Sequence, residues 1–426
     1  MPAQLTELKR PTNTQSAQGS YKINGSRLVQ FLDEMASIGA QPDGSVSRRG
    51  FSETDILGRK RMAEWMRQSG LAVRIDPAGN LIGRLEGSDA GLPALMTGSH
   101  LDTVPTGGRF DGVLGVLAGL EVAMTLQDLG LKLRHTLEVV VFADEESTMI
   151  GCKGMAGTAS SDPAEFVTSS RTPIQTNLEK LGGQWSELPS ARRSDGAIAA
   201  FLELHVEQGA VLQSRHDVIG VVDGVVGQRR FTITIEGQAN HAGTTPMSAR
   251  CDALAAAAQV ILGVQTMALN HPGDPVATVG RIQIAPNAAN VVPGSAELTV
   301  DVRDLDPGVL DELTETLMNL LERIGETSGC AISLDPQFKV EPTPAHRTVQ
   351  MAIRASAEAL GLPTSDLPSR ASHDAQEMGR RWPMGMIFVP SRDGLSHSAK
   401  EFTEPDHCID GTNVLLNSLL RLDRAL

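Results

Sequence analysis

Apolar residues recur along this chain with two different periods. Residues 26–38, 113–126 and 348–360 carry apolar side chains at helical spacing, which predicts a helix in each segment. Thr136–Ala143 is almost continuously apolar, which is typical of a strand buried on both faces of a parallel sheet. Helices that alternate with buried strands predict an α/β fold.

The pattern changes in the middle of the chain. Arg230–Glu236 alternates strictly between polar and apolar residues, as a half-exposed antiparallel strand does, and Ala249–Leu269 is an alanine-rich predicted helix. Over residues 224–341 the predicted order β-α-β-β-α-β is the ferredoxin-like signature. We therefore predict one α/β domain, formed by residues 1–223 and 342–426, which is interrupted by an inserted α+β domain.

Length supports two domains, because 426 residues exceed what one ordinary core accommodates. The apolar, glycine-containing run Val218–Gly227 suits a crossing between them. Residues 1 to about 20 are polar and are predicted to form a mobile arm.

Composition and charge exclude several classes of partner. The net charge of −14 argues against nucleic acids and anionic membranes. No run of 18 apolar residues predicts a membrane span, and the N-terminus lacks the charged-then-apolar order of a signal peptide. The four cysteines form no Cys-x-x-Cys pair, so neither a disulfide framework nor a cysteine zinc site is indicated. We expect a cytoplasmic location.

Polar side chains follow a short apolar run at Leu92–Met96, which predicts a buried strand. His100 and Asp102 are two residues apart, so they point the same way in extended chain, and Asp111 follows on a glycine-flanked turn. A histidine with a carboxylate that can bridge suits zinc, and Asp102 is placed to hold the other nitrogen of His100. A polar loop with a capping aspartate is the alternative.

Three more predicted strands end in polar residues, and in α/β folds sites form at the carboxyl ends of strands. Thr136–Ala143 ends in the carboxylates Asp144, Glu145 and Glu146, whose burial is costly unless a cation offsets it. A surface cap is the alternative there. His205 and His397 follow the other two strands.

Together these strand ends supply enough nitrogen and oxygen ligands for two zinc-like ions that share a carboxylate. The five predicted ligands are His100, Asp111, Glu146, His205 and His397. Glu145 then remains as a general base for water.

At these motifs the chain resembles the carbamoylase and ureidohydrolase branch of the dizinc aminopeptidase-like amidohydrolases. That branch includes N-carbamoyl-L-amino acid hydrolase, allantoate amidohydrolase, ureidoglycolate amidohydrolase and β-ureidopropionase. The matching stretches keep one order from about residue 25 to the C-terminus. They are Gly98-Ser-His-Leu-Asp-Thr, Gly108-Arg-Phe-Asp-Gly, Asp144-Glu-Glu, Glu203-Leu-His-Val-Glu-Gln-Gly, Asn240-His-Ala-Gly-Thr-Thr-Pro-Met, Asn290-Val-Val-Pro-Gly, Asp301-Val-Arg and Gly394-Leu-Ser-His-Ser-Ala-Lys-Glu.

The resemblance implies a zinc-aminopeptidase-like catalytic domain with a mixed sheet and an inserted domain that serves as dimerisation domain and lid. It implies a homodimer with two divalent ions per subunit, zinc first, with manganese, cobalt or nickel as alternatives. For the two-fold contact, the strand Arg230–Glu236 is predicted to offer an edge and the helix Ala249–Leu269 a face of small residues. His100 and His205 would bind one ion, Glu146 and His397 would bind the other, and Asp111 would bridge them.

The resemblance also assigns catalytic and substrate-binding roles. Glu145 would be the base and then the acid, and His241 would reach the site of the other subunit, either to polarise the scissile carbonyl or to stabilise the developing oxyanion. The positions that match substrate-binding residues are Gln208, His241, Asn290, Arg303 and Gly394. Arg303 suits a substrate carboxylate. The alternative for Arg303 is a surface charge that pairs with Asp301 or Asp304. The alternative for His241 is a turn residue.

The predicted function is hydrolysis of a carbamoyl or ureido C–N bond in a small carboxylate substrate, with N-carbamoyl-L-amino acids first and allantoate or ureidoglycolate second. A dipeptidase or aminoacylase is less favoured because the Glu207-Gln-Gly and Asp301-Val-Arg stretches point to this branch. A non-catalytic binding protein on the same fold is less favoured because Glu145 and every ligand are present. Two segments depart from the family: Arg370 and Ser372 replace glycines, and Ser147–Lys153 differs from the commoner sequence.

Overall fold

The computed structural model describes residues 20–426, so the predicted N-terminal arm lies, except for Ser20, outside the described residues. The chain forms two compact units. Unit 1 extends to Gly224 and resumes at Ala345, and unit 2 is Val225–Pro344. The predicted insertion, 224–341, differs from unit 2 by a few residues at its end.

The described residues alternate helices and strands in unit 1 and follow a different order in unit 2. In chain order the elements are α1 (Gly25–Ser37), α2 (Glu53–Gln68), β1 (Ala72–Ile75), β2 (Leu81–Leu85), β3 (Ala94–His100), α3 (Val113–Asp128), β4 (Leu137–Phe142), α4 (Ile150–Ala156), α5 (Ile174–Leu181), β5 (Ile198–Val206), α6 (Val211–Arg215), β6 (Ile219–Val225), β7 (Gly227–Glu236), β8 (Asn240–His241), α7 (Ala253–Leu269), β9 (Val276–Ala285), β10 (Val291–Val292), β11 (Ser295–Asp304), α8 (Pro307–Ser328), β12 (Ala331–Val340), β13 (Thr343–Pro344), α9 (Arg347–Ala359), β14 (Thr364–Ser369), α10 (Asp374–Met378), β15 (Met384–Val389) and α11 (Pro405–Ala425).

The sheet of unit 1 has the strand order β1-β2-β4-β3-β5-β15-β6, and β14 also pairs with β6. Its centre is parallel, because β3 pairs in parallel with β4 and β5, and β15 pairs in parallel with β5. The outer pairs β1–β2, β2–β4 and β15–β6 are antiparallel. The predicted α/β fold with a mixed sheet is thus confirmed, and every residue of β3, β4 and β15 is buried.

The sheet of unit 2 is antiparallel, with the order β12-β7-β11-β9. Apolar side chains from its strands form one core with those of α7 and α8. The predicted ferredoxin-like order is therefore confirmed. α7 begins later than predicted, at Ala253, because Asp252 caps it by accepting the backbone N–H groups of Leu254 and Ala255.

One local prediction differs from the structure, and one short strand is absent from the predictions. Val218–Gly227 is predicted as a crossing, but its residues 219–225 form β6, which pairs with β15 in the main sheet. The short strand Thr364–Ser369 is not predicted at all, because its proline and alternating small polar residues resemble a loop. No helix within residues 20–426 is long and apolar enough to cross a membrane.

Candidate metal centre

The predicted ligands of unit 1 meet at the carboxyl ends of four adjacent parallel strands, β4, β3, β5 and β15. His100 is the last residue of β3, and His205 stands one residue before the end of β5. Glu146 follows β4, and His397 lies in the loop after β15. Parallel strands bring their carboxyl ends to one edge of the sheet, so residues far apart in sequence converge there.

Asp111 lies between the histidines. Its Oδ1 is 3.2 Å from Nε2 of His205 and 3.7 Å from Nε2 of His100. Its Oδ2 is 3.3 Å from Nε2 of His397, which is itself 3.6 Å from Oε1 of Glu146. The two oxygens of one carboxylate therefore face two different groups of side chains, as a bridging ligand does.

Main-chain carbonyls fix the ring orientation of two histidines. Nδ1 of His100 donates to the carbonyl oxygen of Asp102 at 2.9 Å, and Nδ1 of His205 donates to that of Val206 at 2.8 Å. Because a carbonyl can only accept, both rings carry a proton on Nδ1, and Nε2 is the ring nitrogen that faces Asp111. This is the arrangement that a metal-binding histidine requires.

Asp102 performs its predicted task with a different group. The sequence predicts that its carboxylate holds His100, but that carboxylate lies 3.9 Å from Nδ1, and the main-chain oxygen makes the contact. The carboxylate instead accepts the backbone N–H groups of Glu145 at 3.3 Å and of Glu146 at 3.1 Å. Asp102 thus fixes the ends of β3 and β4 to each other.

The neighbouring carboxylates Glu145 and Glu146 point to different histidines. Oε2 of Glu145 is 3.7 Å from Nε2 of His100, whereas Glu146 faces His397. Burial raises the pKa of Glu145 well above its ordinary value, and burial followed by the charge of Asp111 raises that of Glu146 to about 7. Carboxylates crowded into a buried space are costly, and a divalent cation would offset that cost.

The histidines and Asp111 stabilise each other's charged forms. Burial alone would raise the pKa of Asp111, but hydrogen bonds from His205 and His397 hold it well below its ordinary value. The same hydrogen bond to Asp111 raises the pKa of His397 to about 9. The site therefore attracts positive charge.

The donor atoms fit a divalent metal. In each of two groups, His100–Asp111–His205 and Asp111–Glu146–His397, the candidate ligand atoms lie within 4.8 Å of one another. Imidazole nitrogens combined with carboxylate oxygens suit zinc and related borderline ions. Glu145 belongs to neither of these groups, although it forms a third with His100 and Glu146.

Gly112 is required beside this site for two reasons. Its φ of +69° is in the left-handed region, and a Cβ there would lie 2.4 Å from the ring of His100. Its backbone N–H also contacts Nε2 of His205 at 3.2 Å. The glycine that follows Asp111 therefore allows the start of α3 to approach both rings.

Two further predicted residues of unit 1 lie on loops of the site. Gln208 has a φ of +58°, and its Nε2 donates to Oδ2 of Asp111 at 2.7 Å. Its Oε1 is buried and has no hydrogen-bond partner, which leaves an acceptor for a ligand. Gly394 also has a left-handed φ, +64°, and a Cβ there would lie 2.8 Å from the backbone nitrogen of Ala210.

The remaining predicted residues lie in unit 2. His241 is exposed, and its Nδ1 accepts the backbone N–H groups of Gly243 and Thr244 at 3.1 and 3.2 Å. Asn290 is its neighbour, because the carbonyl of Asn290 accepts the N–H of Ala242 at 2.9 Å. Nε of Arg303 donates to Asp301 at 2.8 Å, so the ion pair considered as an alternative is formed.

Sequence reasoning missed a buried group beneath His205. Glu203, which precedes His205 by two in β5, accepts from Ser99 Oγ at 2.6 Å and from the N–H of Ala375 at 2.9 Å. The ring of His373 packs edge-on against His205 at 4.5 Å between centroids. The available signal was the polar residue two before His205, which shares its face of the strand.

Comparisons with known proteins agree with this geometry. A model of the family described as Peptidase family M20/M25/M40 matches residues 96–421. The N-carbamoyl-L-amino acid amidohydrolase of Geobacillus stearothermophilus is 38% identical over 405 residues, which cover 94% of this chain and 99% of that protein. The allantoate amidohydrolase of Bacillus subtilis is 35% identical over 401 residues, 93% of this chain and 97% of that protein.

A solved structure extends the similarity to three dimensions. It is an amidase of the hydantoinase/carbamoylase family from Burkholderia multivorans, with a TM-score of 0.88 and 37% identity. The match covers 94% of this chain and 98% of that one.

Proposed function

The chain belongs to Peptidase family M20/M25/M40, whose members are metal-dependent, and from this premise we propose that it hydrolyses the carbamoyl or ureido C–N bond of a small carboxylate substrate. The observation that carries the proposal is the position of Asp111 between two groups of ligands, with Glu145 beside them. A non-catalytic binding protein would be expected to have lost Glu145 or one of the ligands, and all of them are present.

We assign the ligands as predicted, with His100 and His205 on one ion, Glu146 and His397 on the other, and Asp111 shared. Two divalent ions, zinc first, with manganese, cobalt or nickel as alternatives, would polarise the scissile carbonyl and lower the pKa of water. Glu145 takes the proton of the attacking water on its carboxylate and then delivers it to the leaving nitrogen. The amide of Gln208 orients Asp111 through its 2.7 Å hydrogen bond.

The proposed substrate class is N-carbamoyl-L-amino acids. An N-carbamoyl-L-amino acid amidohydrolase that aligns over nearly its full length is 38% identical, and an allantoate amidohydrolase is 35% identical, so allantoate or ureidoglycolate is the second candidate. In this proposal Arg303 binds the substrate carboxylate, because the 2.8 Å bond from Nε to Asp301 holds the guanidinium in one orientation. His241 and Asn290 bind the carbamoyl group.

Ammonia release from a substrate panel tests this assignment. With Zn²⁺, Mn²⁺ or Co²⁺ added, we expect the highest kcat/KM on one or more N-carbamoyl-L-amino acids, and little or none on allantoate and ureidoglycolate. The Glu145→Gln variant is the control for contaminating activity. A higher kcat/KM on allantoate or ureidoglycolate would replace the first substrate class by the second, and turnover of dipeptides alone would reject both.

We also infer that the active unit is a homodimer formed through unit 2. α7 contains no charged residue, and Leu254, Leu262 and Leu269 on its solvent-facing side are 41%, 62% and 77% exposed. An uncharged helix face with a row of exposed leucines is typical of an interface between copies. Within unit 2, β9 lies at the edge of the sheet beside this helix and offers unpaired backbone groups to a second copy.

The edge strand differs from the one predicted. The sequence predicts that Arg230–Glu236 offers the free edge, but that segment belongs to β7, which lies between β12 and β11. The prediction of an edge at β7 is therefore wrong, and β9 takes its place in the proposed interface.

Subunit complementation tests whether His241 acts across this dimer. We expect a mixture of inactive His241→Ala and inactive Glu145→Gln proteins to regain activity once subunits exchange. If His241 acts in trans, a mixed dimer has one site with both defects and one site with neither. Each variant incubated alone is the control. A mixture that stays inactive despite demonstrated exchange, or a fully active monomer in sedimentation, would contradict the shared site.

A further inference from the structure

Glu401 is a buried acid in the loop that carries His397, and the roles assigned so far do not use it. Glu401 is 4% exposed to solvent. Burial and the charge of Asp111 raise the pKa of its carboxyl. A buried carboxyl beside another carboxylate is unfavourable unless its hydrogen bonds offset the cost, so its contacts are informative.

Those contacts join two loops that carry proposed ligands. Oε1 of Glu401 accepts the backbone N–H groups of Phe110 at 2.9 Å and Asp111 at 3.1 Å, across a separation of about 290 residues. Oε2 lies 2.9 Å from Oγ of Ser396, the residue before His397. Oγ of Ser396 is also 2.9 Å from Oδ2 of Asp111. One side chain thus contacts the backbone of the bridging aspartate and the loop of a histidine.

Gly108 supplies an independent observation. A Cβ at Gly108 would lie 2.0 Å from Cδ of Glu401 and 2.1 and 2.4 Å from its two oxygens. Its φ is not in the left-handed region, so space and not backbone conformation requires glycine there. The turn before Asp111 is therefore shaped to receive the carboxyl of Glu401.

We propose that Glu401 is a positioning residue of the metal centre, which holds Asp111 and His397 at the separation that a shared metal site needs. Both of its oxygens are already engaged, so it acts through the loops and is not itself a ligand. This inference rests on the proposed metal centre. A merely structural anchor would stabilise the fold without affecting metal affinity, and the experiment separates these two roles.

The test measures Zn²⁺ affinity of the folded, metal-stripped protein by calorimetry and the thermal unfolding of the same samples. We expect Glu401→Ala to weaken Zn²⁺ binding by about 10–100-fold, the usual effect of removing a residue that orients ligands. Glu401→Gln keeps the acceptor for both backbone N–H groups, so we expect it to recover most of the affinity. The matched control is Glu404→Ala, which removes an exposed glutamate of the same segment that pairs with Arg392.

Gly108→Ala provides the reciprocal test. Alone, its methyl group displaces the carboxyl of Glu401 and should weaken Zn²⁺ binding as Glu401→Ala does. In the double variant with Glu401→Ala, Gly108→Ala should cause no further loss of Zn²⁺ affinity. The methyl group then enters the space that the glutamate has left. Such non-additivity is the signature of two groups in direct contact. Glu401→Gln and Gly108→Ala keep the test decisive if Glu401→Ala fails to fold.

Any one of three results would overturn the inference. Glu401→Ala could keep the wild-type Zn²⁺ affinity and lower only the Tm, or Glu401→Gln could bind Zn²⁺ as weakly as Glu401→Ala. The third is a double variant in which the two losses of Zn²⁺ affinity are fully additive. Failure of the wild-type protein to bind Zn²⁺, Mn²⁺ or Co²⁺ would be a different outcome, since it would reject the proposed function itself.

Discussion

Glu145→Gln is expected to lower kcat by about 10²–10⁴-fold, the range for loss of a general base, while the protein keeps its metal. The carboxamide occupies the same volume as the carboxylate but cannot accept the proton of water. Ammonia release gives kcat, and mass spectrometry of the purified protein gives its metal content.

The neighbouring substitution, Glu146→Gln, is the matched comparison. Oε1 of Glu146 lies 3.6 Å from Nε2 of His397 and belongs to a group of candidate ligands with Asp111. We therefore expect this variant to lose metal first and activity as a consequence, with recovery at high added metal. If Glu145→Gln loses metal and Glu146→Gln keeps it, the roles of the two residues are reversed.

Removal of metal is expected to abolish activity, and addition of Zn²⁺, Mn²⁺ or Co²⁺ is expected to restore it. The five proposed ligands have no other evident purpose, and their carboxylates are crowded in a buried space that a cation would stabilise. The metal-loaded protein should also unfold at a higher temperature, because an ion that binds only the folded state shifts the folding equilibrium.

Dialysis against a chelator, followed by addition of known amounts of metal, tests this prediction. A sample treated in the same way with the chelator already saturated by Zn²⁺ is the control for damage during dialysis. Full activity in a preparation that elemental analysis shows to be metal-free would reject the mechanism.

The polar ends of strands were sufficient to predict which residues meet. His100, His205 and His397 each follow a short apolar run that predicts a buried strand, and parallel strands bring such ends together. Glu145 and Glu146 are recognisable because a strand as apolar as Leu137–Phe142 would otherwise end in an unexplained cluster of charge.

Contacts between loops were not predictable from the sequence. Glu401 reaches Asp111 across about 290 residues, and no local pattern indicates which distant N–H groups a glutamate will find. The task of the Asp102 carboxylate was also missed, because the main-chain oxygen two residues from His100 makes the expected contact with the ring.

The order of strands in unit 2 shows a further limit. Strict alternation of polar and apolar residues occurs in Arg230–Glu236, which is interior, just as it would at an edge, because one face of the whole antiparallel sheet packs on helices. Alternation therefore predicts which face of a strand is buried, but it does not predict which strands lie beside it in the sheet.

The position of β15 has a consequence for synthesis of the protein. β15 lies between β5 and β6 in the sheet, yet the ribosome makes it after all of unit 2. The nascent chain must therefore keep the edge of β5 open while unit 2, which has its own core, emerges and folds. The N–H of Ala345 donates to the carbonyl of Asp223 at 2.9 Å. The chain therefore re-enters unit 1 beside the point at which it left that unit. His397 leaves the ribosome later still, so a product truncated before it lacks a complete ligand set.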